Sequence, residues 1–323
     1  MNGKIDRLKI IEQAEKYVRA GRLKEAIAEY EKLLEDDPSD VSINNLVGDL
    51  YVRLGQNDKA IKAFEKVATE YEKRSLNSQA LAILKKICRL NPDKPDYFIK
   101  MAELYTRQGF LAEAKQKYLR IAERFLRQKD VEEAIELYEK VAKLDKDDLN
   151  IRIQLAALYK LNGQQDKAVN ELLKAADLKI SLGQIDEAEK LLKESNKLSP
   201  DNARTKLRLA QVLRLKGQAP QAQELTRQVL DKIPHDLDAL TFLGNLYFEE
   251  GKFAQAKEIF TEVLNFYPMN VNARYKIARI NLAEGNVDGA FEYFEPLIDS
   301  YLKKKKEDKA IGLLGLILTV RND

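Results

Sequence analysis

Apolar residues recur at every third or fourth position along almost the whole chain, and charged residues fill the positions between them. This spacing predicts amphipathic α-helices, because residues three or four apart share one helix face. The apolar runs are short, and they are separated by glycine, proline or a polar turn such as Pro38-Ser39-Asp40. The pattern therefore predicts an all-α chain of many short helices joined by tight turns.

The helical pattern repeats with two fixed lengths. Four long repeats share a period of 54 residues, the last being one residue short: 41–94, 95–148, 149–202 and 271–323. Three short repeats are 34 residues long: 7–40, 203–236 and 237–270. A fixed period of this size is typical of a stacked array, in which no repeat can bury its apolar face alone. Such a chain presents a long surface, and this favours a binding function.

Small residues and chain breakers mark the same places in each repeat. The eighth position is alanine or glycine in every copy: Ala14, Gly48, Ala102, Ala156, Ala210, Gly244 and Ala278. A small residue there lets two antiparallel helices approach closely. A glycine at the fifteenth position, such as Gly55, is expected to end the first helix in a left-handed conformation. A proline near the thirty-second position, such as Pro92, breaks the chain before the next helix.

This arrangement of landmarks resembles the tetratricopeptide repeat (TPR) family across nearly the whole chain. The resemblance implies a TPR-like α-solenoid, a right-handed superhelix of about eighteen antiparallel helices, in which residues 1–323 form a single array. Each long repeat adds a shared middle helix. In repeat 41–94, helix 57–74 closes one hairpin and opens the next, which helix 77–91 completes.

The shared helix changes the direction of the chain. Because successive helices run antiparallel, a three-helix repeat reverses the chain direction, whereas a two-helix repeat restores it. We therefore expect the opening helices of consecutive long repeats to point in opposite directions. Residues 203–304, by contrast, are expected to form an ordinary TPR groove.

Charge and cysteine content limit the classes of partner and compartment. The chain has 55 Lys and Arg against 52 Asp and Glu, a net charge of +3, which is too even to indicate a nucleic-acid partner. One cysteine, Cys88, excludes an internal disulfide framework and is typical of a reducing compartment. Charged residues interrupt the N-terminal apolar residues, so we expect neither a signal peptide nor a membrane span. The expected location is the cytoplasm.

Residues that could carry chemistry are few. The single histidine, His235, follows Pro234 in a turn and has no partner for a metal site or a nucleophile–base pair. Cys88 is interpreted as a small packing residue, since its counterparts are Ala142 and Asn196. We find no phosphate-binding glycine loop. The sequence therefore predicts no catalytic, metal or cofactor-binding residues, no cofactor and no enzyme activity.

The TPR resemblance directs attention to the first helix of each repeat. In TPR proteins its second, fifth, sixth, ninth and twelfth positions commonly face the binding groove. In the C-terminal part these positions supply basic and polar candidates for partner binding: Arg204, Arg208, Gln211, Phe242, Asn245, Asn272, Lys276 and Arg279. One interpretation is surface charge unrelated to binding. The other is a groove for an acidic peptide or an exposed C-terminus, with Asn245 on its backbone and the cations on its carboxylates. Three positions depart from the family's carboxylate-clamp pattern, so chaperone-tail binding is not implied: Leu207, Gln211 and Phe242.

The last helix differs from its counterparts. Where earlier copies have outward charges such as Lys85-Lys86, it has Gly315-Leu316 within an apolar run. A helix that is apolar all round is expected to be covered, and the ends of an array usually carry a polar cap. We therefore predict an apolar interface, covered by a partner, a second copy or further chain: Leu313, Leu316, Ile317 and Val320. Pro296 is expected to kink or interrupt the middle helix of this repeat.

The function predicted from these features is that of a protein–protein interaction scaffold or adaptor, which binds a peptide or helix along its surface. An RNA-binding helical repeat protein is the alternative. The period of 34 residues, the recurrent proline and the near-neutral charge weigh against RNA.

Overall fold

The structure is a computed structural model that describes residues 6–321, with side chains described as far as Thr319. Within that range it contains eighteen α-helices and no strand, which confirms the all-α fold and the predicted number of helices. The helices are α1 Arg7–Arg19, α2 Leu23–Asp36, α3 Val41–Arg53, α4 Asn57–Lys73, α5 Asn77–Leu90, α6 Pro95–Arg107, α7 Leu111–Gln128, α8 Val131–Leu144, α9 Leu149–Leu161, α10 Gln165–Ser181, α11 Ile185–Leu198, α12 Ala203–Leu215, α13 Ala219–Leu230, α14 Leu237–Glu249, α15 Phe253–Phe266, α16 Val271–Ala283, α17 Val287–Lys303 and α18 Glu307–Arg321.

Local chemistry fixes where these helices begin and end. Most helices that open a repeat are preceded by an Asp or Asn whose side chain accepts a hydrogen bond from the third helical N–H, as Asp148 does from Ile151. Helix α6 begins instead with Pro95, which needs no N–H partner. The glycine at the fifteenth position of each repeat has a positive φ, as in Gly55 at 70°. This is the left-handed helix stop that the sequence predicted.

The eighth position of the repeat is a point of close helix approach. A Cβ added to Gly48 would lie 2.5 Å from the ring of Phe64, and one added to Gly244 would lie 2.8 Å from the ring of Phe260. Both phenylalanines are completely buried. Glycine at these two positions therefore allows a large aromatic ring to fill the core between paired helices.

Contacts divide the chain into two compact units. Helices α1–α9 belong to the N-terminal unit, residues 1–162, and helices α10–α18 belong to the C-terminal unit, residues 163–323. Within each unit every helix packs against the next one in sequence. The boundary falls in the turn after α9, inside the third long repeat.

Ion pairs at helix ends show the effect of the shared helix in the N-terminal unit. Arg7 at the start of α1 contacts Asp40 before α3 at 2.5 Å, so the opening helix of the short repeat and that of the next repeat run the same way. Across the long repeat 95–148, Arg124 near the end of α7 donates to the carbonyl of Pro92 before α6. Lys115 near the start of α7 pairs with Asp148 before α9. Helices α6 and α9 therefore point in opposite directions, as expected.

Pro296 and Cys88 both lie inside helices, α17 and α5. Helix α17 continues through Pro296, so the predicted interruption is wrong. Buried neighbours on both sides of the proline, Phe294 and Leu297, pack into the core and hold the helix together. Cys88 is buried in the N-terminal unit, where its sulfur lies 3.6 Å from that of Met101, as a packing residue should.

Candidate protein-binding groove

A groove of 440 Å³ lies between α12 and α14 in the C-terminal unit. It is lined by Arg204, Leu207, Arg208, Gln211, Asp238, Thr241, Phe242 and Asn245. Five of the eight candidates derived from the repeat frame are among these residues: Arg204, Arg208, Gln211, Phe242 and Asn245. The other three candidates, Asn272, Lys276 and Arg279, lie on α16, which packs against α14.

Helix packing determines which side chains reach the groove. On α12, Leu209 and Leu213 are buried in the core of the C-terminal unit. Arg204, Arg208 and Gln211 follow a different line on the same helix, spaced four and three residues apart. Because residues at that spacing share a face, the burial of one face directs the other towards the groove.

Arg208 in the groove and Arg214 beside it already have acidic partners from their own unit. Arg208 Nε lies 3.0 Å from a carboxylate oxygen of Asp177 on α10, and the guanidinium also donates to the Gln211 amide oxygen at 2.9 Å. Arg214 lies 2.7 Å from Glu249 and stands over the Phe242 ring at 5.8 Å. A carboxylate arriving from outside must therefore compete with these partners.

Helix α16 extends the positive charge beside the groove. The Lys276 ammonium lies 4.0 Å from the centre of the Phe248 ring, a cation–π contact. Burial lowers the pKa of Lys276, with Glu249 opposing the shift and Arg279 adding to it. Arg279 itself donates to the Tyr275 hydroxyl at 3.2 Å. A cation that has lost part of its water interacts more strongly with an incoming carboxylate than a fully hydrated one.

The binding residues predicted from the sequence did not include three residues of the lining and one beside it, although Leu207 lies at a groove-facing fifth position. Asp238 and Thr241 lie on the first turns of α14, and Leu207 forms part of the floor. Arg214 occupies the twelfth position of its repeat, which the frame directs towards the groove, but its pairing with Glu249, 35 residues away in sequence, does not follow from the frame. The periodicity of the repeat could have indicated Asp238, which occupies the second position of its repeat, as Arg204 does in the preceding one. Its carboxylate makes this end of the groove less favourable for an acidic ligand.

The exposed apolar residues of α18 are not the residues predicted to form its apolar interface. Leu313 and Ile317 are buried against α17 in the core of the C-terminal unit, and Leu316 is half-buried. Leu313 and Ile317 are therefore core residues rather than an exposed surface, Leu316 lies at the edge of that core, and the side chain of Val320 lies outside the described residues. The exposed apolar side chains on this helix are Ile311 at 64%, Leu314 at 40% and Leu318 at 56%.

The repeat frame explains this exposed strip. In the first long repeat the corresponding residues of α5 are only 2 to 8% exposed: Leu81 at 6%, Leu84 at 2% and Cys88 at 8%. Helix α6, the first helix of the next repeat, packs against α5. The strip on α18 is thus the surface that a following first helix covers elsewhere in the chain.

The remaining candidates for chemistry stay isolated. Between residues 6 and 319 no three His, Cys, Asp or Glu side chains are grouped as a metal site would require. In the same part of the chain no helix has the length and apolar character needed to cross a bilayer. His235 is half-exposed in its turn, where its ring stacks on Phe266 at 3.7 Å.

Comparison with protein families agrees with the repeat pattern. Residues 11–75 and 125–179 match two tetratricopeptide repeat models. Residues 164–275 match a third model, described as the TPR domain of cytochrome c-type biogenesis protein H. The chain is a tetratricopeptide repeat protein. Proteins of this class generally mediate protein–protein interactions.

Several solved helical-repeat structures are similar in fold. Yeast Tom70 is 14% identical, with a TM-score of 0.41, over 97% of this chain and 96% of that chain. A tetratricopeptide repeat protein from Parabacteroides merdae is 16% identical, with a TM-score of 0.38, over 96% and 98%. MamA from Desulfovibrio magneticus is 19% identical, with a TM-score of 0.37, over 60% and 97%. At these values the likeness concerns the fold alone. No curated protein matches the chain significantly.

Proposed function

We propose that this protein is a non-enzymatic scaffold or adaptor whose C-terminal unit binds an extended acidic segment of a partner protein. The observation that carries the proposal is the convergence of Arg204, Arg208, Phe242 and Asn245 on one groove, with the α16 cations beside it. The absence of any internal disulfide, since Cys88 is the single cysteine, supports the cytoplasm as the proposed compartment.

Each group has a role that follows from its chemistry. The Asn245 amide can both donate to and accept from the backbone of an extended ligand, while the half-buried Phe242 ring offers an apolar surface. Arg208 and Lys276 attract carboxylates. The Arg208–Asp177 pair is about half-exposed, and such pairs contribute only about 0–1 kcal/mol, so a ligand carboxylate can replace Asp177 at small cost. A neutral segment has no group to offer in exchange, and the pair therefore favours acidic ligands.

Charge reversal at the groove tests this proposal. The variant Arg208→Glu/Lys276→Glu/Arg279→Glu is compared with Lys303→Glu/Lys304→Glu/Lys306→Glu, which makes the same change in net charge at the exposed turn before α18. Both variants and the wild type are used to capture partner proteins from the native cytoplasm. Acidic segments of the captured proteins are then purified, and their binding to each variant is measured. We expect the groove variant alone to lose a partner that has such a segment. Identical partners for wild type and groove variant would refute the groove.

The exposed strip on α18 supports a second contact in the same scaffold. Ile311, Leu314 and Leu318 occupy the positions that a following first helix covers in earlier repeats. We propose that an amphipathic helix of a partner binds there. A second copy binding through its own α1 is disfavoured, because α1 has Lys9, Gln13 and Lys16 where later first helices have buried apolar residues such as Tyr97, Met101 and Leu104.

The oligomeric state distinguishes a partner helix from self-association. Light scattering of the wild type and of Leu314→Lys should show the same monomer, with partner binding lost in the variant alone. A wild-type dimer that dissociates in Leu314→Lys would show instead that a second copy covers the strip.

A further inference from the structure

Helix α7 of the N-terminal unit has a line of four cations along one face: Lys117, Arg120, Arg124 and Arg127. Their spacing of three, four and three residues keeps them on one side of the helix. The line extends over ten residue steps, from Lys117 to Arg127, and is therefore about 15 Å long. Together with Pro92, Pro95, Phe98 and Ile121 it borders a cavity of 220 Å³. We refer to these four cations as the α7 strip.

The strip is specific to the second long repeat. At the same frame positions the first long repeat has Ala63, Lys66, Glu70 and Lys73. The third has Glu171, Lys174, Leu178 and Ser181, and the last has Tyr293, Pro296, Ser300 and Lys303. Because the four helices share one packing frame, the fold does not require four cations there.

In two of the other copies an acidic residue within the line pairs with its cations. In the first long repeat Glu70 contacts Arg74 at 2.8 Å and Lys73 at 3.7 Å. In the third repeat Glu171 contacts Lys174 at 2.6 Å. The second repeat has a cation at each of these two acidic positions, Arg124 in place of Glu70 and Lys117 in place of Glu171. The α7 strip thus lacks the internal compensation seen in the other copies.

Few acidic groups within the described residues compensate the strip from outside. Arg124 lies 3.6 Å from Asp93, a carboxylate that is 88% exposed, and so the pair is weak. The negative end of the helix dipole favours Arg124 and Arg127 in the last turns. It does not account for Lys117 and Arg120, which lie in the middle of the helix.

One further frame position beside the cavity differs in the second long repeat. In the other long repeats a side chain at the fourth position donates to the carbonyl six residues earlier, as Asn44 does to Pro38 and Arg274 to Pro268. The second repeat has Phe98 at this position, which cannot donate, and Arg124 donates to the Pro92 carbonyl instead. The half-buried Phe98 ring and two prolines therefore form an apolar wall beside the cations.

We infer that the α7 strip is a second docking site, which binds an acidic peptide segment with one apolar anchor residue. The carboxylates pair with the exposed Arg120 and Arg127 and with the half-buried Lys117. The anchor side chain enters the cavity against Phe98. A line of about 15 Å matches four to five residues of extended peptide. This site lies in the N-terminal unit and does not depend on the groove between α12 and α14.

RNA is the other polyanion to consider, and the structure favours a peptide. Single-stranded RNA is usually held by several aromatic side chains on which successive bases stack. Here one ring, Phe98, borders the strip, and it packs against the core of the N-terminal unit. A backbone of phosphates also calls for a broad basic surface, whereas here Asp93 pairs with Arg124 beside the cavity.

Matched variants test the inference. All proteins in this experiment carry the groove charge reversal Arg208→Glu/Lys276→Glu/Arg279→Glu as a common background. In that background, the variant Arg120→Glu/Arg127→Glu reverses the two exposed cations of the α7 strip. Lys66→Glu/Lys73→Glu makes the same change at the same frame positions of the first long repeat. Binding is measured by fluorescence anisotropy, with a labelled peptide in which glutamates alternate with alanines around one leucine. The same peptide with glutamine for glutamate, and a labelled oligouridylate, serve as comparisons.

We expect the acidic peptide to bind the background protein and the Lys66/Lys73 control equally. Reversal of the strip should weaken binding at least roughly tenfold, because two attractive contacts become repulsive. The difference in affinity between the strip variant and the control should become smaller as salt is added. Equal binding to both variants, or binding of the glutamine peptide to the same extent, would overturn the inference. Preference for oligouridylate over the acidic peptide would overturn it in favour of RNA.

Discussion

Replacing Gly244 with alanine tests whether close helix packing positions the groove. The added Cβ would lie 2.8 Å from two atoms of the Phe260 ring and 3.1 Å from a third. Phe260 is completely buried, so either its ring or α14 has to shift, as in the last repeat, where an alanine and a buried phenylalanine, Ala278 and Phe294, occupy the same frame positions. The same helix supplies Phe242 and Asn245 to the groove, and the strain should therefore also weaken partner binding.

The magnitude follows from two opposing effects. Overpacking a core in this way costs about 1–3 kcal/mol. Alanine gains about 1 kcal/mol over glycine inside a helix. We therefore expect Gly244→Ala to lower the free energy of unfolding by about 1 kcal/mol. The control is Gly315→Ala on α18, where no atom lies within 4 Å of the added Cβ and the helix gain should appear alone.

Urea unfolding followed by far-UV circular dichroism gives the free energies. Phe260→Leu should relieve part of the cost, because Ala156 and Leu172 form this smaller pair at the same frame positions of the third long repeat. The free energy of unfolding of the double variant should then be higher than the value obtained by adding the effects of the two single substitutions. If Gly244→Ala were as stabilising as Gly315→Ala, the close approach of α14 and α15 would not be what constrains this position.

Two further predictions concern ionisable groups in the N-terminal unit. Asp148→Ala removes the cap of α9 and the partner of Lys115, and should cost about 1–2 kcal/mol at neutral pH. Burial tends to raise the pKa of Asp148, but the Lys115 and Ile151 hydrogen bonds outweigh it and hold the pKa below the usual value. Its stabilisation is therefore present above about pH 4, and urea titrations should show the variant and wild type converging below that pH. For Cys88, burial raises the pKa to about 11, with Lys117 opposing. The neutral thiol should resist a thiol reagent until urea unfolds the chain, and its contribution to stability should fall between about pH 9 and 11, as the unfolded chain ionises first. Rapid labelling of Cys88 in the folded protein would contradict the first of these assignments for the thiol. A difference in unfolding free energy between wild type and Asp148→Ala that does not change with pH would contradict the assignment for Asp148.

Much of the fold follows from local patterns, which act over short distances. The helix stops at Gly55 and its counterparts follow from the backbone freedom of glycine, and the number of helices follows from the apolar periodicity. At the second turn of the long repeats the pattern is less informative. There Ser75 and Lys129 take the left-handed conformation without glycine, at φ 58° and 67°, because the flanking helices fix the turn.

The groove could be predicted only in part, for a similar reason. The repeat frame indicates which face of α12 and α14 is not buried in the core, and it therefore predicts that both Arg204 and Asn245 face the groove. It says nothing about pairing across helices. The contact of Arg208 with Asp177 depends on how α10 packs on α12, and the burial of Ile317 depends on α17.

Site-specific photocrosslinking tests the central claim most directly. A photoreactive amino acid is placed at Asn245 in the groove and, as a control, at Glu224 on the exposed surface of α13. After irradiation in cells, the crosslinked peptides are identified by mass spectrometry. Our account predicts that Asn245, and not Glu224, captures a segment rich in Asp and Glu, and that the groove charge reversal abolishes this crosslink. Equal capture at the two positions, or capture of segments without acidic residues, would contradict it.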